Sequence, residues 1–335
     1  MGANQLRWGI LGCAGIAVRA VIPGIRASET GVVAAIASRD LAKSKEMAAQ
    51  LNIDKAYGSY EELLADSEID AVYIPLPNHL HMEWTLRAAQ AGKHVLCEKP
   101  IALDAAQAEK MVTACEQAGV QLAEAFMYRH HPRYDGIKEI IRSGEIGSIR
   151  GIHGAFTFNN AASGSNVRFH RFMGGGSLYD VGCYPISAAR YLLEQEPNAA
   201  TMHAFFSPEH DDVDMMASGL LEFTGGVALT FDCGMWAAGR NTLEVLGDLG
   251  RIELPSAFVT PPSPGSNFFV ITKEGRREVA VPDVNQYALQ ADDMAYAVWG
   301  KKPLRFESMD AVRNMRVIDA CLQSAREHAR IVIPN

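Results

Sequence analysis

The chain has 335 residues, of which 48% are hydrophobic and 21% charged, the balance of an ordinary globular protein. Its length predicts about two domains, with a core large enough to be stable without disulfide or metal cross-links. A net charge of -8 disfavours nucleic acid or an anionic membrane surface as a partner.

The cysteines are spread along the chain without a C-x-x-C pair or a dense cluster: Cys13, Cys97, Cys115, Cys183, Cys233 and Cys321. This spacing favours free thiols in a reducing compartment over a disulfide framework or a metal site. The sequence has no apolar signal segment and no stretch typical of a membrane span. We therefore expect a cytoplasmic protein without a bound metal or membrane partner.

The first part of the chain alternates short apolar runs with stretches of helical spacing. The runs are "LRWGIL", "GVVAAIAS", "IDAVYIPLP", "HVLCEKP" and "VQLAEAFM". Strands that alternate with helices of ten or more residues predict right-handed crossovers and a parallel sheet covered on both faces. Residues 1–127 are therefore expected to form a Rossmann-type, doubly wound α/β domain.

The pattern changes after Tyr128. A helix leads into segments of period-two alternation separated by turn signals such as "TGG", "GDLG" and "KEG", and two helices follow near 286–299 and 309–328. This order predicts an α+β domain over residues 128–335, built on a mostly antiparallel sheet.

A glycine-rich loop follows the first strand in "GILGCAGIAV". In the dinucleotide-binding fingerprint, Gly12 takes the first glycine position, Ala14 the second and Ala17 the third. Alanine at the second position leaves less room for the phosphates, while Gly15 adds a flexible amide and Ile16 completes the loop. The helix that starts near Gly15 offers free N–H groups to an anion. The alternative is a tight turn whose small residues only serve packing.

The end of the second strand indicates the type of cofactor. An acidic residue at this point usually binds the ribose hydroxyls of NAD, whereas an arginine favours the extra phosphate of NADP. Ser38 and Arg39 occupy this point and Asp40 follows. An arginine offers a charge-assisted contact to phosphate, so NADP is favoured and NAD stays possible. Asp40 is either a ribose ligand or the cap of the next helix.

Further polar residues should lie where ligands bind, at the carboxyl ends of the parallel strands. Pro75, Asn78 and His79 follow one strand, and Glu98 and Lys99 follow the next before a proline stops the ladder. We expect all five at the cofactor. The H-x-H spacing after the first of these strands does not by itself indicate a metal, because no acidic or cysteine residue accompanies it.

The second domain contributes the run "GGGSLYDVGCYPI". Three glycines allow a close backbone approach, and a helix is predicted from Ser177 to about residue 193. Asp180 and Tyr184 are four residues apart and so share one face of that helix. They either hold a polar ligand together, or are a half-buried tyrosine and a first-turn carboxylate that favours the helix dipole.

Together, these motifs resemble the glucose–fructose oxidoreductase/inositol dehydrogenase (Gfo/Idh/MocA) family over nearly the whole chain. "GILGCAGIA" resembles its cofactor loop, "CEKP" its Glu-Lys-Pro signature and "GGGSLYDVGCYPI" its second-domain signature. Many members carry histidine where this chain has Tyr184. The tyrosine form is more similar to aldose (xylose or glucose) dehydrogenases, dimeric dihydrodiol dehydrogenases, glucose–fructose oxidoreductase and deoxysugar ketoreductases.

The resemblance implies a role for several of these residues. Lys99 and Tyr184 would be the catalytic pair, with Asp180 beside them and Arg168 in the substrate pocket. Asn78 and Glu98 would lie near the nicotinamide ribose, and Pro100 is often in a cis peptide in this family. The family's second domain has an open-faced sheet that commonly pairs with another subunit, which implies a homodimer or homotetramer.

The chemistry needs a base, because an alcohol loses hydride easily only if its proton is removed. A phenol, with a reference pKa of about 10, is a poor base unless a nearby ammonium group favours the phenolate. Tyr184 is therefore expected to be the acid/base and Lys99 its electrostatic partner, or the reverse. The substrate would be a sugar or polyol, with keto-sugar reduction or dihydrodiol oxidation as alternatives. A nucleotide-sensing regulator that has lost the chemistry is the non-enzyme alternative.

Overall fold

The computed structural model describes residues 5–162, 164, 166–261 and 264–334. Its contacts divide the chain into two compact units. The first comprises Met1–His130 and Asn285–Val312, and the second comprises His131–Val284 and Arg313–Asn335. The segment Asn285–Val312 thus groups with the first unit although it lies far beyond it in the chain.

The first unit is built on a six-stranded sheet with the order β3-β2-β1-β4-β5-β6, and all of its strand pairs are parallel. This order and direction confirm the doubly wound fold predicted from the sequence. The strands are β1 (Leu6–Leu11), β2 (Gly31–Ala37), β3 (Lys55–Tyr57), β4 (Ala71–Ile74), β5 (His94–Cys97) and β6 (Leu122–Glu124).

Helices connect these strands, and several begin at the polar residues that a helix start requires. Asp40, Ser59 and Asp104 each accept a backbone N–H bond at the start of α2, α3 and α5. The helices are α1 (Ile22–Ala27), α2 (Leu41–Leu51), α3 (Tyr60–Ala65), α4 (His81–Gln90) and α5 (Ala105–Ala118).

The later helix α8 (Gln286–Val298) completes the core of the first unit. Ala291, Met294 and Ala295 lie in the same buried cluster as Trp8 and Ile22. A buried hydrogen bond of 2.6 Å from Thr30 Oγ1 to Asp292 Oδ1 adds a polar contact to this apolar packing. The apolar side chains therefore hold the helix, and one satisfied polar pair sets its register.

The second unit contains a nine-stranded sheet with the order β14-β13-β12-β11-β7-β10-β9-β8-β15. Among the described strands of this sheet, only β7 and β10 form a parallel pair, which confirms the mostly antiparallel prediction. The strands are β7 (Ile149–Asn159), β8 (Ala199–Ser207), β9 (Val213–Glu222), β10 (Ala228–Gly234), β11 (Trp236–Gly247), β12 (Gly250–Leu254), β13 (Phe268–Thr272), β14 (Gly275–Val279) and β15 (Ile331–Val332).

One face of this sheet is covered and the other is open. On β10, Leu229, Phe231 and Cys233 are buried, whereas Thr230 and Asp232 alternate with them and are half-buried. The helix α7 (Cys183–Leu193) packs against β7 and β10, and α6 (Arg133–Ser143) packs against α7. The helix α9 (Ser308–Glu327), which crosses the boundary between the units, accepts a hydrogen bond from β8 at Ser324. The alternation is that of a sheet with one face in a core.

Within the described residues, no helix is both long enough and apolar enough to cross a membrane. All six cysteines are free thiols, as the sequence predicts, and all but the half-buried Cys13 are buried.

Candidate active site

The glycine-rich loop leaves β1 at the carboxyl edge of the parallel sheet. Gly12 has a φ of +115°, which L side chains rarely adopt, so the turn requires glycine here. Its amide donates to Ala37 O at the end of β2 (2.9 Å), which joins the two predicted cofactor stretches at one edge. Ala14 is half-buried and Gly15 is exposed.

The helix after this loop begins without a capping side chain. The helix starts at Gly15, where Val18 N donates to Ala14 O (3.2 Å), and it passes through a π-helical turn, Ala17–Val21, before α1. No side-chain cap and no first-turn acid occur at this π-helical turn. π-helical turns are frequent at functional sites. The first N–H groups of a helix lack partners within it, and these groups with the positive end of the helix dipole suit an anion such as a pyrophosphate.

The residues after β2 separate into two roles. Asp40 caps α2: its Oδ1 accepts from the backbone N–H groups of Ala42 (2.9 Å) and Lys43 (3.3 Å). This geometry supports the capping alternative for Asp40. Ser38 is buried at the same strand end, whereas Arg39 and Asp40 are both exposed, and the Asp40 carboxylate is engaged at the start of α2.

Sequence reasoning missed three residues near the same loop. The Tyr60 side chain is hydrogen-bonded to Arg39, and the Lys43 charge acts on the Cys13 thiol, whose pKa is raised by burial and lowered in part by that charge. The Arg19 guanidinium lies 2.9 Å from where a Cβ on Gly15 would be. No fingerprint position marks these residues. Two further cations thus lie at the predicted phosphate site, and the residues present fit a phosphorylated dinucleotide.

The turn that carries Glu98 and Lys99 is held from several sides. Both residues are half-buried at the end of β5, and the Lys99–Pro100 peptide is cis, as the resemblance implied. The buried Tyr73 hydroxyl donates to Glu98 Oε1 (2.5 Å), and the next amide, Ile101 N, donates to a carboxylate oxygen of the buried Glu124 (2.9 Å). These contacts therefore fix the position of Glu98 and Lys99.

His81 links this turn to the loop after β4. It is fully buried, and its ring nitrogens lie 2.9 Å from Pro100 O and 2.8 Å from Leu76 O. Burial is the largest influence and lowers the pKa of His81 to about 4, against the effect of the carbonyls. His81 therefore links the turn after β5 to the loop after β4, a role the sequence did not reveal.

The other predicted residues of the first unit follow β4. Pro75 is buried, and Asn78 and His79 are half-buried in a short 3-10 turn, Asn78–Leu80, that precedes α4. All of the cofactor residues predicted in this unit therefore follow β1, β2, β4 or β5, the strands whose carboxyl ends form one edge of the sheet.

In the second unit, the structure pairs two of the predicted residues. Arg168 Nε donates to Asp180 Oδ2 at 2.6 Å, and the Asp180 carboxyl is largely buried while the arginine is part-exposed. Asp180 lies in a π-helical turn, Leu178–Gly182, that runs directly into α7. The arginine–carboxylate pair thus holds both charges in one place.

Tyr184 lies in the first turn of α7 and is 5% exposed. Its ring packs against Phe156 and Phe258, with centroid distances of 5.2 and 5.5 Å. The aromatic neighbours restrict the orientation of the phenol. This packing also explains why the sequence allowed two interpretations of Tyr184, as a core residue and as a site residue, because the same position is both.

No group of three or more His, Cys, Asp or Glu side chains that could hold a metal ion occurs within the described ranges.

Two family models match the chain over most of its length. The model described as "Oxidoreductase family, NAD-binding Rossmann fold" matches residues 6–126, and the "GFO/IDH/MocA C-terminal domain" matches residues 134–253. These two matches fall on the parallel sheet and on most of the antiparallel sheet.

Individual relatives cover nearly the whole chain. A D-xylose 1-dehydrogenase (NADP(+)) from Haloferax volcanii is 38% identical over 97% of this chain and 99% of its own. A dTDP-3,4-didehydro-2,6-dideoxy-alpha-D-glucose 3-reductase from Actinomadura kijaniata is 34% identical over 97% of each chain.

Solved structures agree with this fold. A 3-ketoreductase from Actinomadura kijaniata, in complex with NADP and TDP-benzene, superposes with a TM-score of 0.88, 33% identity, and coverage of 96% of this chain and 98% of its own. An aldose-aldose oxidoreductase from Caulobacter crescentus gives a TM-score of 0.91 at 27% identity, with 98% and 100% coverage. The resemblance found in the motifs is confirmed: the chain belongs to the Gfo/Idh/MocA family of oxidoreductases.

Proposed function

We propose that this protein is an NADP-dependent oxidoreductase that interconverts a CH–OH group and a carbonyl on a sugar or polyol. The observation that carries the cofactor assignment is the exposed Arg39 at the end of β2, together with the use of Asp40 as a helix cap. A phosphate on the ribose would meet a cation there, while the neighbouring carboxylate of Asp40 is engaged at the start of α2. Relatives that use or bind NADP support the same assignment.

We assign the cofactor to the first unit and the substrate to the second. Gly12, Ala14, Gly15 and Ile16 would hold the pyrophosphate, and Ser38 and Arg39 the ribose phosphate. When bound, the nicotinamide accepts or gives the hydride. The remaining predicted residues of the first unit, Pro75, Asn78, His79, Glu98 and Lys99, would lie along the nicotinamide ribose.

The proton chemistry belongs to this chain's own residues. Tyr184 would take the hydroxyl proton, and the Lys99 ammonium would favour the phenolate and bind the same hydroxyl. Arg168 and Asp180, already paired, would orient the neighbouring hydroxyls of the sugar. The reverse assignment, in which Lys99 carries the proton and Tyr184 positions the substrate, is tested with the same variants.

One site catalyses both directions, so oxidation of an aldose and reduction of a keto-sugar use the same residues. The relatives include a xylose dehydrogenase, a keto-sugar 3-reductase and dihydrodiol dehydrogenases, which makes these three the substrate classes to test.

The test is a spectrophotometric panel at 340 nm with NADP and NAD against pentoses, hexoses and dihydrodiols, and with NADPH against keto-sugars. We expect turnover with NADP and at least one sugar. Turnover that strongly prefers NAD would contradict the assignment of Arg39. Cofactor binding without turnover on any of these substrates would favour a nucleotide-sensing regulator.

Lys99→Met tests the electrostatic role. We expect turnover to fall by roughly 100-fold or more while the dissociation constant of NADP changes little, because the ammonium acts on the reacting hydroxyl. Glu98→Gln, next in the chain, is the matched control: a contact at the ribose should raise the KM for NADP more than it lowers kcat. A Lys99→Met enzyme with full turnover would remove Lys99 from the catalytic pair.

We further propose a homodimer or homotetramer that forms through the open face of the second unit's sheet. Phe205 and Trp236, 42% and 40% exposed, stack there at 4.5 Å. A groove of about 470 Å³ on this face is lined by charged and polar side chains that include His153, Asp232 and Arg240. An exposed aromatic pair beside a polar groove fits a second copy of this chain.

The oligomer is tested by sedimentation velocity of the wild type and of Trp236→Arg. We expect a dimer or tetramer for the wild type and smaller species for the variant. Val332→Arg, which changes an exposed apolar residue at the last strand of the same sheet, is the control. A monomeric wild type at micromolar concentration would contradict the proposal.

A cytoplasmic location is proposed from the six free thiols, since such thiols persist in a reducing compartment. Cell fractionation followed by blotting tests it, and recovery in an oxidising or membrane fraction would contradict it.

A further inference from the structure

A buried carboxylate lies directly beneath the start of the helix that carries Asp180 and Tyr184. Asp214, the second residue of β9, is 2% exposed. The residues on either side of it, Val213 and Met215, belong to a buried apolar cluster. Burial of a charged group among such side chains is costly unless specific contacts compensate for it, so the position of Asp214 needs an explanation.

The contacts of Asp214 are with the helix start. Its Oδ2 accepts from Ser177 Oγ and from the backbone N–H of Leu178, both at 2.7 Å. A Cβ on Gly176, where φ is +122°, would lie only 2.1 Å from the other carboxylate oxygen. The third glycine of the motif is therefore required for this carboxylate to approach the backbone.

No Lys, Arg or His forms an ion pair with Asp214 within the described ranges. Its compensation comes from hydroxyl and amide donors and from the positive end of the helix dipole. The carboxylate thus takes the place at this helix start that an external anion takes at other glycine-rich helix starts.

The same contacts connect Asp214 to the candidate site. Gly176 donates its amide to Arg168 O and accepts from the Asp180 amide, each at 3.0 Å. Arg168 and Asp180 in turn form the ion pair described above. A shift of the segment from Gly176 to Leu178 would therefore move both members of that pair.

Asp214 also titrates in an accessible range. Burial raises the pKa of this carboxyl to about 6, although the bonds from Ser177 and Leu178 act in the opposite direction. The titratable group that faces it from β10 is the buried Cys233, whose thiol pKa is raised by burial and by the Asp214 charge.

Two other carboxylates nearby are paired with arginines. On the helix side Asp180 is bound to Arg168, and on the loop before β9 Asp212 lies 3.6 Å from Arg171. The titratable side chain on the turn before β9 is His210, whose ring lies 4.7 Å from that of Phe169 in the same cluster and bonds to Ser207 and to Ala161 O. Asp214→Asn separates the two groups, because it removes the carboxylate and leaves His210 in place.

We propose that Asp214 is a positioning residue: its carboxylate fixes the helix start so that Asp180 and Tyr184 are held in their reactive geometry. The inference rests on the proposed function, because it takes these two residues to be catalytic.

The test is the pH dependence of kcat, on the best substrate from the panel, for the wild type, Asp214→Asn and Ser177→Ala. We expect the wild-type kcat to fall by roughly tenfold in total as the pH drops through 6, because the protonated carboxyl no longer holds the helix start. Asp214→Asn should lose this acid limb, with kcat lowered by roughly tenfold at pH 7.5.

Ser177→Ala keeps the carboxylate but removes one donor that favours its charged form, so the limb should move to higher pH. Ser324→Ala, which removes a fully buried hydroxyl on α9 that bonds to Met202 N and Ala329 O, is the control for destabilisation alone. In Ser324→Ala, kcat should fall at the same pH as in the wild type.

The binding of NADP should be unchanged in all of these variants, since Asp214 belongs to the second unit. The inference would be overturned if kcat of Asp214→Asn still fell at acid pH as in the wild type, or if kcat of Ser177→Ala fell at the wild-type pH. If Tyr184→Phe retains full activity, the proposed function fails first. If Tyr184→Phe is inactive but Asp214→Asn keeps the wild-type limb, only the role of Asp214 fails.

Discussion

The two units start their site helices in the same way but satisfy them differently. Each has a glycine at positive φ, a π-helical turn of five residues and then an α-helix. In the first unit the helix start has no capping side chain or first-turn acid. In the second unit the buried Asp214 binds Ser177 and Leu178 at the start of the helix.

The difference separates a helix start that can bind a ligand from one that holds neighbouring side chains in place. A helix start attracts an anion wherever it is found. When the protein supplies that anion itself, the start is closed to ligands and becomes a fixed platform for the side chains one turn later. When the start stays open, a phosphate can take the place. The same local geometry thus serves recognition in one unit and, as we propose, positioning in the other.

The largest expected effect comes from closing the space that Asp214 uses. Gly176→Ala would place a methyl group 2.1 Å from the carboxylate at a φ of +122°. We expect a loss of unfolding free energy of about 4 kcal/mol, from strain together with a broken buried contact. Urea denaturation measures it.

The control is Gly225→Ala in the turn between β9 and β10. Gly225 also has a positive φ, +78°, but a Cβ there meets no atom within 4 Å. The backbone strain alone should cost about 1 to 2 kcal/mol. Equal losses in the two variants would show that the contact with Asp214 contributes nothing.

The buried charge itself should appear in the pH dependence of stability. The folded-state pKa of Asp214, about 6, is raised above its unfolded value. The stability this group contributes is therefore fully present below about pH 4 and is lost as pH rises through 6, by about 3 kcal/mol in total.

Asp214→Asn removes that dependence, so the variant should gain stability relative to the wild type as the pH rises from 4.5 to 7.5. Urea denaturation at four pH values measures the difference, in which the other titrating groups largely cancel. A constant difference between variant and wild type would contradict the assigned titration.

A carboxylate placed at the helix start after the glycine loop of the first unit should prevent the cofactor phosphates from binding there. In Ala14→Asp, the new charge would stand where we place the pyrophosphate and would repel it. We expect the dissociation constant of NADP to rise by roughly 100-fold, measured by NADPH fluorescence. Ala14→Asn, of the same size and without charge, should raise it far less. Equal effects would mean that sterics, and not the charge, decide.

The smallest effect concerns the cofactor preference. Arg39→Ala should lower kcat/KM for NADP by roughly 30-fold, since a charge-assisted bond to phosphate is lost, and should leave NAD almost unaffected. Asp40→Asn is the control, because asparagine also caps a helix and the preference should not change. An equal fall with both cofactors would place Arg39 away from the ribose phosphate.

The fold followed from the sequence where periodicity was strong. The apolar runs before the glycine loop and before "CEKP" became β1 and β5, and the alternating runs of the second half became the antiparallel sheet. The edge strand β3 was missed because three residues are too few to show a period. Periodicity also does not reveal which unit a late helix packs on, as Met294 of α8 in the first core illustrates.

The candidate site was predictable where a motif fixes a backbone feature. Gly12, the cis peptide before Pro100 and the shared helix of Asp180 and Tyr184 are of this kind. The supporting residues were not, because Tyr73, His81 and Asp214 make their contacts through the fold, from distant points of the chain. The one sequence signal for Asp214 was a charged residue among the apolar residues of "VDMMA".

The measurement that tests the account most directly compares turnover and NADP binding in Tyr184→Phe. The account predicts that turnover falls by roughly 100-fold or more while NADP binds as in the wild type, because the phenol carries the proton and the cofactor belongs to the other unit. Turnover at the wild-type level in Tyr184→Phe, with NADP still bound, would contradict it.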